Sequence, residues 1–538
     1  MNWDRKLGFE TRLEAHRGNR VVRCFSERPP NIDEILQSAV TRYADREAAV
    51  SDDRRMTFAE LGREVDRLAS GLQSIGVTAG DRVALLIPTC VEMTISVFAL
   101  CRIGAIAVPL DTRLIASEVE YMVADSGSVA LIYDASLADR IPSPNRTPGV
   151  RRRCVLGGDQ RGANASSDLR FETLGIGCEA AVPASIDDDD DALLIYTSGT
   201  SGRPKGAVVS HLNVVHSVRH YEFAWGLGQD DRSLLAIPAS NITGLVAIIV
   251  TLMHAGGCVV YMRTFKAAAF LALASRERAT HAFMVPAMYK LCLMCPEFER
   301  HDLSAWRLGS YGGAIMPTAT IDELSRRIPG LQLMNGYGST ETTSPAVMLP
   351  KHLTASHNDS IGLPLPCAEI CIMGMDGREV APGETGELWI KGPMVVSRYW
   401  NNLEETERAF VGGYWRSGDL CSRDAEGIVR FHDRLKDSIN RGGYKIYSAE
   451  IENTLMQHPG VQELAVIAKP DLVLGERVHA VVTRRNPEVT EDSLREFCVA
   501  RMADYKVPES FTLLDEPLPR NSNGKVLKRT LREELFGA

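Results

Sequence analysis

An excess of basic charge is missing from this 538-residue chain, whose 60 lysines and arginines are outnumbered by 69 aspartates and glutamates. Such a surface offers no general field for nucleic acid or an anionic membrane, so small-molecule partners are expected. Also missing is an apolar run near the roughly 20 uninterrupted residues that a membrane helix needs. The most apolar segment, Leu245 to Met262, is broken by His254, Gly256 and Gly257; it reads as a buried helix, a turn and a strand. The N-terminal segment "MNWDRKLGFETRLEAHRGNR" carries cations without the apolar core of a secretory signal, so a cytoplasmic location is expected. Twelve cysteines in so long a chain make no disulfide framework. Cys292 and Cys295 form a lone CxxC in an apolar run, without a second pair at zinc spacing, and read as buried core thiols. Internal repeats and low-complexity tracts are lacking as well.

What is present is 45% hydrophobic and 24% charged residues, the balance of a soluble enzyme with large cores. Single cores stop growing near about 250–300 residues, so at least two domains are expected. Thr57 and Glu60 form a capping box, and Phe58, Leu61, Val65, Leu68, Leu72 and Ile75 follow at helical spacing. Short apolar strands ("RVALLIP", "AIAVPL", "VALIYD") then alternate with helical runs, one of them Ala116 to Asp125. That alternation predicts an α/β fold with a parallel sheet covered on both faces. Arg140 to Asp191 is polar and ends in the acidic run Asp187 to Asp191, which reads as a solvated loop before the strand "ALLIY" and not as a metal site. A texture change near Arg434 places a link at 435–437, between a large domain over 1–434 and a small α+β domain over 438–538.

The stretch "YTSGTSGRPKG", Tyr196 to Gly206, follows the strand "ALLIY". Glycines let backbone approach a phosphate, and hydroxyls and N–H groups donate to its oxygens. Pro204 before Lys205 and Gly206 after it exclude a Walker A loop. On its own such a loop is equally a linker.

Four further stretches accompany it in order: "NGYGSTET" (Asn335 to Thr342), "YWRSGDL" (Tyr414 to Leu420), "DRLKDSINRGGYKI" (Asp433 to Ile446) and "PRNSNGKVLKR" (Pro519 to Arg529). Together the five resemble the adenylate-forming superfamily of acyl-CoA synthetases, adenylation domains and luciferases, over about Asn31 to Arg532. The resemblance implies a large domain with a barrel-like subdomain and a small mobile C-terminal domain. It also implies ATP, Mg²⁺ and coenzyme A as cofactors, a small carboxylic acid as substrate, and two steps. The acid first attacks the α-phosphorus of ATP, and a thiol then displaces AMP. Like charges meet in that attack, so cations are needed where charge develops.

By the resemblance, Thr197, Ser198, Gly199, Thr200, Ser201, Gly202 and Lys205 wrap the β- and γ-phosphates. Thr340 touches the α-phosphate, Glu341 holds the metal, and Lys525 bridges carboxylate and α-phosphate. Tyr337 stacks on adenine beside Asn335, Gly336 and Gly338, while Gly312 and Gly313 present bare backbone. Asp419 and Arg434 take the ribose. Lys436 matches the hinge, and Arg441, Gly442, Gly443 and Tyr444 the coenzyme A tunnel.

One stretch departs from the family. Where many acyl-CoA synthetases carry an aromatic or His gate, "PASNITG" has Asn241, a smaller group with donor and acceptor. Tyr311 replaces the small residue usual before the glycine pair. With Gly313, these two are the expected acyl-pocket residues, and they suit an aryl, alicyclic or short-to-medium-chain fatty acid. An AMP-forming acid–CoA ligase is the leading reading. A loader of a separate carrier protein and a luciferase-like oxygenase are the alternatives, and a non-catalytic binder is disfavoured by the full set Lys205, Glu341, Asp419, Arg434 and Lys525. A homodimer stays open.

Overall fold

The computed structural model describes residues 9–17, 20–51, 54–157, 168–197, 203–314, 316–343, 345–354, 356–442, 444–520 and 526–537. Ser198 to Gly202, Gly443 and Lys525 therefore lie outside the described residues. The chain divides into two compact units, Met1–Ile370 with Ile390–Trp415, and Cys371–Trp389 with Arg416–Ala538.

In the first unit the expected alternation produces two parallel-rich sheets. One runs in the order Lys205–Ser210, Asp191–Thr197, Ile106–Pro109, Arg82–Leu86, Ala130–Asp134, Arg152–Leu156, Leu169–Arg170. All neighbours in it are parallel except the first pair. Ile106–Pro109 and Ala130–Asp134 are buried at every position, which explains why they read as unbroken apolar runs instead of alternating ones. The second sheet has a parallel centre of Gln332–Tyr337, Leu308–Gly312, His281–Met284, Arg232–Leu235, Cys258–Tyr261 and Glu47–Ser51, flanked by antiparallel edge strands.

The helix Phe58–Ser74 starts where the capping box predicts. Glu60 N donates to Thr57 Oγ1 at 3.2 Å, and Thr57 N to Glu60 Oε2 at 2.8 Å. Its apolar stripe, Phe58, Leu61, Val65, Leu68 and Leu72, is wholly buried, each side chain contributing about 1.5–3 kcal/mol on leaving water. The apolar segment around Leu245 forms a π-helix over Thr243–Val250, an α-helix over Thr251–Ala255, and the strand Cys258–Tyr261. Gly256 makes the turn at φ +74°. No helix among the described residues is long and apolar enough to cross a membrane. Cys292 is buried and Cys295 half-buried.

The acidic run differs from a solvated loop. Asp188 accepts from Arg28 at 2.7 Å, Asp190 from Arg17 at 2.7 Å and Asp191 from Arg398 at 2.6 Å. These arginines are distant in sequence, and only folding brings their charges to the run.

The second unit is the expected α+β body. Its sheet runs Tyr444–Ile446, Ile439–Arg441, Gly475–Arg484, Val461–Asp471, with Ser510–Leu514 parallel to Gly475–Arg484. The helices Ser448–Leu455 and Glu491–Val499 bury Ile451, Leu455 and Leu494 in a core with Val466, Val478 and Val482. This compact unit begins upstream of the 435–437 link. Asp433, 3% exposed, accepts from Ser448 N and Oγ and so ties its strand, Val429–Arg434, to the start of the helix Ser448–Leu455.

Candidate active site

The strands Asp191–Thr197 and Lys205–Ser210 are the arms of a hairpin, with Thr197 opposite Lys205. The predicted phosphate loop is thus the connection between two paired strands, and Lys205 stands at its exit. Residues 398–400 run along the free side of the second arm. Val208 N donates to Arg398 O at 3.2 Å, Trp400 N donates to Gly206 O at 2.7 Å, and Ala207 bridges Tyr399. A Cβ on Gly206 would lie 2.7 Å from Leu194 Cδ1, so a side chain here would have to push the buried Leu194 side chain aside. This pairing sets the Lys205 ammonium 5.3 Å over the Tyr399 ring and in an ion pair with Glu405. Arg408 holds the same carboxylate at 2.7 Å. Burial, with the nearby charge of Arg408, pushes the Lys205 ammonium below its ordinary value, and Glu341 opposes the shift.

The C-terminal ends of the parallel strands Leu308–Gly312 and Gln332–Tyr337 lie side by side, Tyr311 opposite Asn335 and Gly312 opposite Gly336. Carboxyl ends of parallel strands are where open α/β sheets take ligands. A Cβ on Gly312 would sit 2.5 Å from Gly336 O, so the glycine is demanded by the neighbouring backbone. Gly313 follows at φ +77° and is exposed. Asn335 is buried and donates to Ser360 O at 3.2 Å, Tyr337 is half-buried, and Gly338 is exposed.

The turn Thr340–Thr342 then places Glu341, only 9% exposed, against the segment just described. Tyr399 donates its hydroxyl to Glu341 Oε1 at 2.8 Å, and Val396 N donates to Glu341 O at 2.9 Å. Burial and the Glu341 carboxylate hold the Tyr399 phenol firmly protonated. Glu341 is therefore a positioned, desolvated carboxylate, with Thr340 half-buried beside it. Such oxygen donors are what Mg²⁺ takes.

Asn241 is half-buried, two residues before the π-helix, with its carbonyl accepting from Leu245 N at 2.9 Å. A Cβ on Gly244 would meet Pro238 O at 2.3 Å, which keeps this bend tight. Tyr311 is 1% exposed and belongs to the packed cluster of Met284, Tyr289 and Met316, its hydroxyl without a hydrogen-bond partner among the described residues. Burial raises its phenol to about 12. The ring fills the space behind the strand that ends in Gly312.

In the second unit Asp419 pairs with Arg434 across two antiparallel strands, Nε to Oδ1 at 3.2 Å. Asp419 is 5% exposed and its neighbour Gly418 is at φ +69°. Glu387 shapes this turn by accepting from Gly418 N at 3.1 Å and from Arg416 Nη2 at 3.0 Å. Lys436 is exposed in the turn whose start, Arg434 O, accepts from Asp437 N and Ser438 N, both at 3.0 Å. Arg441 is engaged by Glu509 at 2.7 Å, Gly442 turns at φ +57°, and exposed Tyr444 stacks on Tyr505 at 4.9 Å.

Residues 36–400 match the family of AMP-binding enzymes, and residues 450–525 match the AMP-binding enzyme C-terminal domain. The chain belongs to the AMP-binding enzyme family. Within this family it is 35% identical to the long-chain-fatty-acid–CoA ligase FadD13 of Mycobacterium tuberculosis, over 94% of this chain and 98% of that one. It is 36% identical to the feruloyl-CoA synthase of an Amycolatopsis species, over 89% and 94%. Its structure resembles that of the anthranilate CoA ligase AuaEII in complex with anthranoyl-AMP, with TM-score 0.87, 26% identity and coverage of 94% and 97%. It also resembles the o-succinylbenzoate CoA synthetase of Bacillus subtilis in complex with ATP and magnesium ion, with TM-score 0.80, 31% identity and coverage of 93% and 99%. Family motifs led to Lys205 and Glu341 in the sequence, but not to Tyr399, which touches both, to Glu405, which pairs with Lys205, or to Arg408, which pairs with Glu405. The one local signal was Asn402 three residues before Glu405, an N-cap pattern that the structure bears out at 3.1 Å.

Proposed function

We propose that the chain is an AMP-forming acid–CoA ligase for an aryl, alicyclic or short-to-medium-chain fatty acid. Family membership supports the reaction class, and the observation that carries the site is Glu341, buried and oriented by Tyr399, beside Lys205 and Gly206. In the first step a carboxylate oxygen of the acid bonds to the α-phosphorus of ATP. The bond from that phosphorus to the bridging oxygen breaks, and pyrophosphate leaves with the electron pair. In the second, the sulfur of coenzyme A bonds to the acyl carbon, the thiol proton goes to solvent, and AMP leaves.

The residues divide these tasks. Lys205, Thr197 and the loop Ser198 to Gly202 hold the β- and γ-phosphates, and Thr340 meets the α-phosphate. Glu341 is the ligand for Mg²⁺, which when bound screens the phosphate charges. Adenine lies on Tyr337 and the backbone of Asn335, Gly336 and Gly338, and Gly312 and Gly313 leave room for nucleotide and acyl group. Asp419 accepts from the ribose hydroxyls, with Arg434 donating. Lys525 bridges the carboxylate and the α-phosphate, the turn at Lys436 is the hinge between steps, and Arg441, Gly442, Gly443 and Tyr444 line the thiol's approach.

For the acid, Asn241 and Gly313 would bound the acyl pocket, while the Tyr311 ring, packed in the core behind the strand that ends in Gly312, limits how far that pocket can extend. The relatives named for feruloyl, anthranilate and o-succinylbenzoate support an aryl acid. The test is a panel of carboxylic acids with ATP, Mg²⁺ and coenzyme A, scored as AMP release and thioester mass. Aryl and short-to-medium acids should give both signals. Preference for long-chain fatty acids over all of these would overturn the acid class; no signal with any acid would overturn the ligase reading.

A further inference from the structure

We propose that Glu405 and Arg408 form an ion-exchange clasp on Lys205, setting how readily this lysine is given up to a polyphosphate. The inference rests on the reading of Lys205 as a phosphate-binding cation. Lys205 Nζ is paired with Glu405 Oε2, and the two side chains are 9% and 16% exposed. A triphosphate or pyrophosphate that takes Lys205 must compete with this carboxylate.

Desolvating a carboxylate and then removing its only cation would leave an uncompensated charge, the most costly outcome for a buried pair. Arg408 removes that cost. Its guanidinium already lies 2.7 Å from Glu405, one helical turn along Leu403–Ala409, and its own side chain is 60% exposed. When Lys205 turns to phosphate, Glu405 keeps Arg408. When the phosphate leaves, Glu405 is in place to take Lys205 back.

The carboxylate itself is held still. Asn402 Oδ1 accepts from Glu405 N at 3.1 Å, and Thr406 Oγ1, on the next residue, accepts from Tyr399 N at 3.0 Å. The same Tyr399 carries the Glu341 contact, so Lys205 and Glu341 are anchored to one short segment. Neither Glu405 nor Arg408 is assigned contact with the reacting atoms; both are positioning residues acting through Lys205.

The clasp predicts shifts of opposite sign, which a merely structural role would not produce. Glu405→Gln removes the competing charge and should tighten binding of Mg-pyrophosphate to the enzyme without acid, by about three- to tenfold, the worth of one partly exposed ion pair. Arg408→Gln leaves Glu405 with Lys205 alone and should weaken binding by a similar factor. Isothermal titration with Mg-pyrophosphate reads both, and the ATP KM should move in the same directions with a smaller change in kcat for Arg408→Gln. Arg408 is exposed enough that its variant keeps the test alive if Glu405→Gln fails to fold, which a thermal melt detects. Shifts of one sign in both variants, or no shift in Arg408→Gln, would overturn the clasp. Lys205→Ala is the control: if it leaves pyrophosphate affinity unchanged, the phosphate role of Lys205 fails, whereas loss of affinity there with unmoved Arg408→Gln rejects the clasp alone.

Discussion

Tyr399 donates its hydroxyl to Glu341 across 2.8 Å while its ring lies 5.3 Å below the Lys205 ammonium. One side chain thus orients the proposed metal ligand with its polar end and the proposed phosphate cation with its face.

Tyr399→Phe keeps the ring and removes only the donor. Losing one hydrogen bond to a charged group costs about 1.5–3 kcal/mol, and outer contacts of this kind tune a metal ligand. The Mg²⁺ concentration for half-maximal activity should rise about tenfold, while the melting temperature changes little. An unchanged Mg²⁺ titration would argue against a metal role for Glu341.

Gly312→Ala tests the close approach of two strands. Its Cβ would fall 2.5 Å from Gly336 O, and backbone on both sides has no flexible end to yield. Overpacking of this kind costs about 1–3 kcal/mol. A lowered melting temperature together with a raised KM for ATP is expected, whereas Gly313→Ala, on an exposed turn at φ +77°, should carry backbone strain without that contact.

Lys525→Ala should abolish acyl-AMP formation and leave thioester formation from supplied acyl-AMP largely intact. Single-turnover assays of each half-reaction separate the two. Equal loss of both would remove the division of labour between Lys525 and the second step.

Acid should weaken the first unit through its buried histidines. Burial lowers His211 and His220 to about 4 and His281 to about 3. His211 needs its neutral ring, because its Nδ1 accepts from Ile32 N at 3.2 Å, and His220 and His281 are fully buried, where a charged ring is poorly solvated. With the folded values below the unfolded value near 6.5, the unfolded chain binds the extra protons. Stability is therefore full above about pH 6.5 and falls as the pH drops toward 4, by about 1.4 kcal/mol per pH unit for each histidine. Asp433 and Glu452, raised by burial, act in the opposite sense in the second unit. Melts from pH 7 to 4.5 should show the first unit's transition moving down; a flat profile would contradict it.

Much of the fold was legible because its signals are local. Thr57 and Glu60 sit three apart and make their capping box with no help from the rest of the chain. Runs such as Ile106–Pro109 are continuous because both faces are covered, and the break at Gly256 marks a turn that needs positive φ. The boundary at 435–437 was less legible, since the tie from Asp433 to Ser448 leaves no trace in composition.

The sequence by itself determined the family and its chemistry. Five short motifs in fixed order carry the family resemblance and the residues proposed for ATP, and each motif is contiguous, so no fold is needed to read it. Tertiary structure alone decided what stands next to them. Tyr399 reaches Lys205 and Glu341, and Glu405 with its partner Arg408 comes up to Lys205, because residues 398–400 pair with the hairpin arm Lys205–Ser210. It likewise gave Asp187 to Asp191 their distant arginines and turned Tyr311 into the core behind the sheet. Charge pairing and close packing depend on distance in space, and for residues some two hundred positions apart no spacing along the chain encodes it.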